Sequence, residues 1–129
     1  MAIKKFEHVG IQVKDLVTSI DFYTNVVGLE LLKKEGHVDP AITLAFLGIE
    51  GEGEPLVEII EGYNPNLPAE GKVHHLAFTV EDIEAEIERV KEHGVTFVEE
   101  AVTTLPNGAK YIFFYGPDGE WIEFFQPHI

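Results

Sequence analysis

Hydrophobic and polar positions along this chain alternate with a period of two, shift to helical spacing, return to alternation, and then go through the same cycle again. Val9, Ile11 and Val13 alternate with His8, Gly10 and Gln12, which predicts a strand over 6–13 with one face buried. Ile20, Tyr23 and Val27 then form an apolar stripe at helical spacing. Asp15 or Thr18 stands ready as the N-cap, and Gly28 as the stop. Strand patterns follow at about 29–35, 42–49 and 55–61. The second cycle predicts a strand over 73–80 and a helix opened by Glu81 or Asp82, with Ile83, Ile87 and Val90 on one face and Gly94 beyond its end. Strands are then expected near 95–100, 109–115 and 120–126, the last two joined by the turn Pro117-Asp118-Gly119. Residues 51–54, rich in Gly and Glu, form a solvated hairpin loop. Residues 62–71, with Pro65 and Pro68, form a linker.

The two cycles are copies. His8-Val9-Gly10-Ile11-Gln12-Val13-Lys14-Asp15-Leu16 aligns with His75-Leu76-Ala77-Phe78-Thr79-Val80-Glu81-Asp82-Ile83 at an offset of 67. Gly28-Leu29-Glu30-Leu31 aligns with Gly94-Val95-Thr96-Phe97 at 66, and Val57-Glu58-Ile59-Ile60 with Ile122-Glu123-Phe124-Phe125 at 65. A near-constant offset over three elements indicates a duplicated module. The reading is an α+β chain of two tandem βαβββ modules: module one over about 1–61, a linker over 62–71, and module two over 72–129, within a single domain.

Alternation then singles out four residues. If Val9, Ile11 and Val13 face the helix, His8 faces away, and the same argument places His75 opposite Leu76, Phe78 and Val80. Glu58 opposes Val57 and Ile59, and Glu123 opposes Ile122 and Phe124. The face they share also carries Leu56, Ile60, Trp121 and Phe125, so it has apolar walls. The small residues Gly10 and Ala77 leave room on it. Apolar walls around a few polar groups are the composition of a ligand site. Two imidazoles and two carboxylates suit one divalent cation of the zinc, nickel, cobalt or iron(II) kind, which also supplies the charge that buried carboxylates need. A single His or Glu in a strand would ordinarily be a structural or surface residue. Its recurrence in both copies, on one face, favours the ligand reading. His74 adjoins His75, so it points to the helix side or to solvent. His37, His93 and His128 lack the repeated placement and read as surface groups.

Composition narrows the function classes. With 9 basic and 23 acidic side chains the net charge is −14, which argues against nucleic acid and anionic membranes as partners. Cysteine is absent, so disulfides, thiolate nucleophiles and zinc–thiolate sites are excluded. Residues 1–6 lack the apolar run of a signal peptide, and no stretch approaches the roughly 20 apolar residues of a membrane span. The expected setting is cytoplasmic.

Over nearly its whole length the chain resembles the glyoxalase I, or vicinal-oxygen-chelate, superfamily. The segments that carry the resemblance are His8 to Leu16 as quoted above, Ser19-Ile20-Asp21-Phe22-Tyr23, Val27-Gly28-Leu29, His75-Leu76-Ala77-Phe78 and Pro117-Asp118-Gly119-Glu120-Trp121-Ile122-Glu123. The resemblance implies paired βαβββ modules forming a cupped mixed sheet, with His8, Glu58, His75 and Glu123 at the four metal positions. Glyoxalase I has Glu where this chain has Glu58, whereas methylmalonyl-CoA epimerase usually has Gln. Dioxygenases and fosfomycin thiol transferases usually keep two His and one Glu. The set therefore leans towards a glyoxalase I-like lyase or isomerase that converts a methylglyoxal–thiol hemithioacetal to an S-lactoyl thioester. In that reading the metal is the Lewis acid, Glu123 moves the proton between adjacent carbons, and Glu58 shares that role. The other readings are an epimerase or dioxygenase of the same site, or a non-enzymatic module that binds a drug or metabolite.

A homodimer is expected, because the concave face of a module leaves Trp121 and Phe125 uncovered unless another module closes over them; the resemblance implies that His8 and Glu58 of one chain meet His75 and Glu123 of the other, with a single-chain site as the alternative. The chain departs from the glutathione-using members in two respects. Several of them carry Arg four residues after the first metal His, and Gln12 stands here. An Asn often follows the first metal Glu by four residues, where this chain has Gly62, with Asn64 close by. Lys110 either replaces the Arg or is a surface lysine. Gln12, Lys110 and Trp121 are the expected substrate contacts, with little preference for glutathione.

Overall fold

The computed structural model describes residues 7–37, 39–64, 66 and 73–128. The chain divides into two compact units, Met1–Leu67 and Pro68–Ile129. In the first, β1 (Val9–Val13) leads into α1 (Leu16–Asp21), which continues as a π-helical segment, Phe22–Val27; β2 (Glu30–Gly36), β3 (Thr43–Gly48) and β4 (Pro55–Glu61) follow. Its sheet has the order β1-β4-β3-β2, with β1 parallel to β4 and the other pairs antiparallel. The second unit contains β5 (Leu76–Thr79), α2 (Ile83–Lys91), β6 (Thr103–Thr104), β7 (Lys110–Tyr115) and β8 (Trp121–Gln126), in the order β5-β8-β7-β6, with β5 parallel to β8. The expected α+β architecture of tandem βαβββ modules is present, with one mixed four-stranded sheet in each unit.

Helix and sheet bury each other's apolar faces. In the first unit Leu16, Phe22, Tyr23 and Val26 are buried together with Val13, Ala45, Leu47, Val57 and Ile59. In the second, Ile83, Ile87 and Val90 are buried with Ile112, Phe114, Ile122 and Phe124. The helix starts repeat one device. Asp15 and Asp82 cap them, accepting from the Val17 and Ala85 N–H groups. The next free N–H is taken by the last residue of the module's final strand: Leu16 N–H donates to Glu61 Oε1 (2.8 Å), and Ile83 N–H to Gln126 Oε1 (2.7 Å). Gly28 ends the first helix in the left-handed region at φ 100°, a conformation that costs glycine nothing.

The structure departs from the pattern in three places. The first helix buries Leu16, Ser19, Phe22, Tyr23 and Val26, while Ile20 and Val27 of the predicted stripe are half-buried. Its last turns widen to π geometry, and the Thr24 hydroxyl bonds back to the Ile20 carbonyl (2.7 Å), so the adjacent Phe22 and Tyr23 are both buried. The predicted strand at 95–100 is not a regular strand. Phe97 forms an isolated bridge to Phe114, and the Phe113 N–H donates to the Glu99 side chain (3.1 Å) instead of a backbone carbonyl. Regular pairing resumes only at β6. The strand expected over 73–80 is shorter, at Leu76–Thr79. The start of the first predicted strand, at Phe6, lies outside the described residues, as do 65 and 67–71 of the linker. None of the described helices is long and apolar enough to cross a membrane.

Candidate metal centre

In the first unit the parallel register of β1 and β4 sets Gly10 beside Glu58. His8, two residues before Gly10, shares its face by alternation. The result is a half-buried pair, with His8 Nε2 3.6 Å from Glu58 Oε1. Gly10 matters for its lack of a side chain: a Cβ there would lie 3.3 Å from Glu58 Oε1 and 3.4 Å from Ile60 Cδ1. On the other side of β4, Phe46 of β3 stands directly opposite Glu58. Its ring meets the His8 imidazole edge-on, with centroids 5.9 Å apart, and Lys33 Nζ lies 5.1 Å from the Phe46 centroid.

The second unit repeats this arrangement. Ala77 stands beside Glu123, Phe113 of β7 stands opposite it, and His75 Nε2 lies 3.1 Å from Glu123 Oε1. The Phe113 ring meets His75 edge-on at 5.2 Å. Glu123 is 8% exposed. Burial pushes its carboxyl above the ordinary carboxylate range; His75 opposes that shift by charge and hydrogen bond, and the nearby Glu99 adds to it. Phe46 and Phe113 do not figure in the sequence reading, although they stand 67 residues apart, the offset of the two histidines. That shared offset was the available signal.

Trp121 joins the same wall, with its ring 5.3 Å from Phe113 and 5.2 Å from His74. Gln12 is exposed on β1, in register with Ile60. Lys110 opens β7 in the alternation of the buried Ile112 and Phe114, not in that of Phe113. Leu56, Ile60 and Phe125 are half-buried. Of the remaining histidines, His37 accepts from the Asp39 N–H (3.0 Å), and His93 and His128 are exposed. A cavity of about 670 Å³ in the second unit lies at the far ends of β5 and β8, lined by Thr79, Glu81, Gln126 and His128 among others, away from the His75–Glu123 pair.

The donors fit a divalent cation in kind and in spacing. Two donors on one ion, each about 2.1 Å from it, stand roughly 3.0–3.4 Å apart. The His75–Glu123 pair already has that spacing at 3.1 Å, and the His8–Glu58 pair at 3.6 Å is a few tenths of an ångström wider. A cation would also supply the charge that the buried Glu123 lacks. Among the described residues, no group of three or more His, Asp or Glu side chains is assembled that could hold a metal ion. The donors come as one His–Glu pair per unit.

A model of the Glyoxalase/Bleomycin resistance protein/Dioxygenase superfamily matches residues 5–124. The chain belongs to this superfamily. Uncharacterized protein YwbC of Bacillus subtilis is 49% identical over 123 residues, spanning 95% of this chain and 98% of that protein. The lactoylglutathione lyase of Neisseria meningitidis is 34% identical over 121 residues, spanning 92% of this chain and 88% of that enzyme. Among solved structures, the trypanothione-dependent glyoxalase I of Leishmania major superposes with a TM-score of 0.79 at 28% identity, over 96% of this chain and 87% of that one. The two modules are thus those of the vicinal-oxygen-chelate fold, and the superfamily includes glyoxalase-type enzymes that act on small molecules.

Proposed function

We propose that this protein is a metal-dependent glyoxalase I-like lyase of the cytoplasm that converts the hemithioacetal of methylglyoxal and a thiol to an S-lactoyl thioester. The observation that carries the reading is the His–Glu pair repeated in both modules, each Glu flanked by a small residue on one side and a Phe on the other. His8, Glu58, His75 and Glu123 would hold the ion. A divalent cation takes four or more donors and each unit offers two, so one ion draws on both kinds of pair, and a homodimer is the assembly we favour. Once bound, the metal supplies Lewis-acid stabilisation of the charge that develops on the substrate oxygens.

The remaining chemistry belongs to the chain. Glu123 is the proton carrier. Its carboxyl is held above the ordinary range by burial, which brings it closer to the basicity that moving a carbon-bound proton requires. His75 Nε2 lies 3.1 Å from its Oε1, the spacing of two donors that would share one ion. Glu58, less buried, takes the corresponding position in the other pair. Phe113 packs edge-on against His75, and Trp121 backs Phe113, so the apolar wall of the pair is two rings deep.

The thiol differs among relatives, since the names of two of them specify glutathione and trypanothione. Gln12 gives this chain no guanidinium with which to grip a carboxylate, and glutathione is accordingly a weak choice. The test is to assay metal-loaded protein with methylglyoxal hemithioacetals of several thiols. Turnover with at least one, without selectivity for glutathione, is expected. No turnover with any of them would refute the lyase reading and favour an epimerase, a dioxygenase or a drug- or metabolite-binding module.

A further inference from the structure

His74 is exposed and adjoins a proposed ligand, yet it is held in place. Its Nδ1 lies 2.9 Å from His75 Nδ1. The two rings are nearly perpendicular, with centroids 5.2 Å apart. His74 also packs on Trp121, Trp121 on Phe113, and Phe113 on His75, so three rings close a circuit with the ligand imidazole.

A hydrogen bond between two Nδ1 atoms needs one donor and one acceptor, and the other contact of His75 decides which is which. His75 Nε2 faces the Glu123 carboxylate at 3.1 Å. Without an ion, Nε2 carries the proton and donates to that carboxylate. Nδ1 of a neutral His75 is then an acceptor, and His74 Nδ1–H donates to it. With an ion on Nε2, that nitrogen must offer its lone pair, so the proton sits on Nδ1 and donates to His74 Nδ1. His74 then carries its own proton on Nε2. Each ring holds one proton before and after, so the exchange balances.

We propose that His74 is a positioning residue for His75, a hydrogen-bond partner that reverses direction when the metal binds. A backbone carbonyl in its place would satisfy only the metal-bound tautomer, whereas an imidazole satisfies both. The first module has no such device. Glu7 stands at the corresponding position, and His8 Nδ1 is buried with no hydrogen-bond partner among the described residues. The second pair is therefore the better preorganised of the two.

The inference rests on the metal reading above, and its test separates the two. Nitrogen-15 NMR of the full-length protein at about pH 8, where free histidine is neutral, reports the tautomer of each ring. Without metal, His75 should read as Nε2–H and His74 as Nδ1–H; with zinc, both assignments should invert. Zinc affinity measured against a chelating dye should fall about 10–100-fold in His74→Phe, the usual cost of losing a partner of a metal-bound His. That variant keeps the packing on Trp121 but has no nitrogen. His74→Asn, whose amide can both donate and accept, should restore most of the affinity. A His74 tautomer unchanged by zinc, parental affinity in His74→Phe, or equal losses in the Phe and Asn variants would each overturn the proposal. Failure of the parent to bind zinc would overturn the metal reading and the reversal with it. An Nδ1–H on His75 in the metal-free protein would overturn the hydrogen-bond assignment by itself.

Discussion

Replacing Glu123 by Gln should act in opposite directions on catalysis and on stability. Gln is nearly isosteric, and its Oε1 can still accept from His75 Nε2, now 3.1 Å from the carboxylate. The geometry should survive, but the basicity should not. A general base contributes about 10²–10⁴-fold in rate, so turnover by metal-loaded protein should fall by that factor, roughly 2.7–5.4 kcal/mol of barrier at 1.36 kcal/mol per tenfold. Stability of the metal-free protein should rise. Burial lifts the Glu123 carboxyl above its ordinary value of 4.5, which means the folded state disfavours the charged form. The native protein then holds the proton more tightly than the unfolded chain, and stability falls as pH rises from the ordinary value through the raised one. Gln is neutral throughout. The variant and the parent should melt alike at a pH below the ordinary carboxylate value, with the variant melting higher at neutral pH. Removing the like charge opposite Glu99 acts in the same direction. Thermal melts of chelator-treated protein at the two pH values, with initial rates of the metal-loaded forms, make the comparison. Undiminished turnover would refute Glu123 as the base, and a variant less stable than the parent at neutral pH would refute the cost assigned to the buried carboxylate.

One further outcome follows from the proposed site and one from the helix starts. Reconstituted protein should bind close to one divalent ion per chain and run as a dimer in light scattering, and His8→Ala and His75→Ala should each lose the ion; an alanine variant that retains metal as well as the parent would exclude the shared site. Glu61→Ala and Gln126→Ala each strip the partner from a helix-start N–H, and each should cost about 1–2 kcal/mol in denaturant melts, with Glu61→Gln close to the parent.

The His–Glu pairing within each unit was legible in the chain because alternation assigns the two faces of each strand. With the apolar residues of β1 and β4 both turned to the helix, the His before one strand and the Glu in the middle of the other share the opposite face, and the repeat states this twice. The aromatic backing was not legible in the same way. Phe46 and Phe113 lie on the neighbouring antiparallel strands, and which residue of β3 or β7 stands opposite the Glu depends on cross-strand register. In β3–β4 that register shifts near Leu47 and Gly48, and no period in a single segment records it. The 95–100 segment escaped for a related reason. Its alternation suits a strand, but the Glu99 side chain takes the Phe113 N–H that a backbone carbonyl would otherwise accept. The π-helical turns leave no such mark in the chain, because a spacing of 3.6 residues per turn picks out the stripe that a regular helix would bury.

The two modules differ in one detail that can be exchanged experimentally. Gly10 and Ala77 occupy the same position beside their glutamates, one without a Cβ and one with it. Gly10 is not among the glycines with positive φ, so alanine is compatible with its backbone. Gly10→Ala should therefore gain about 0.4–1 kcal/mol by restricting the unfolded chain. Against that gain, the new Cβ would press on Glu58 Oε1 at 3.3 Å and on Ile60 Cδ1 at 3.4 Å. Both are ends of side chains, and each can retreat by a few tenths of an ångström. The fold should be unharmed or slightly stabilised. The His8–Glu58 pair, already the wider at 3.6 Å, should be driven further from the spacing that two donors on one ion require. Metal affinity should fall by about tenfold, in the range seen when a ligand's support is altered. Ala77→Gly should do the reverse, losing about 0.5–1 kcal/mol of stability and leaving affinity near parental. Denaturant melts of the metal-free proteins and dye-competition titrations of the same samples separate the two quantities. If Gly10→Ala lowers stability and leaves metal affinity unchanged, the glycine is there for packing, and Glu58 needs no room beside it.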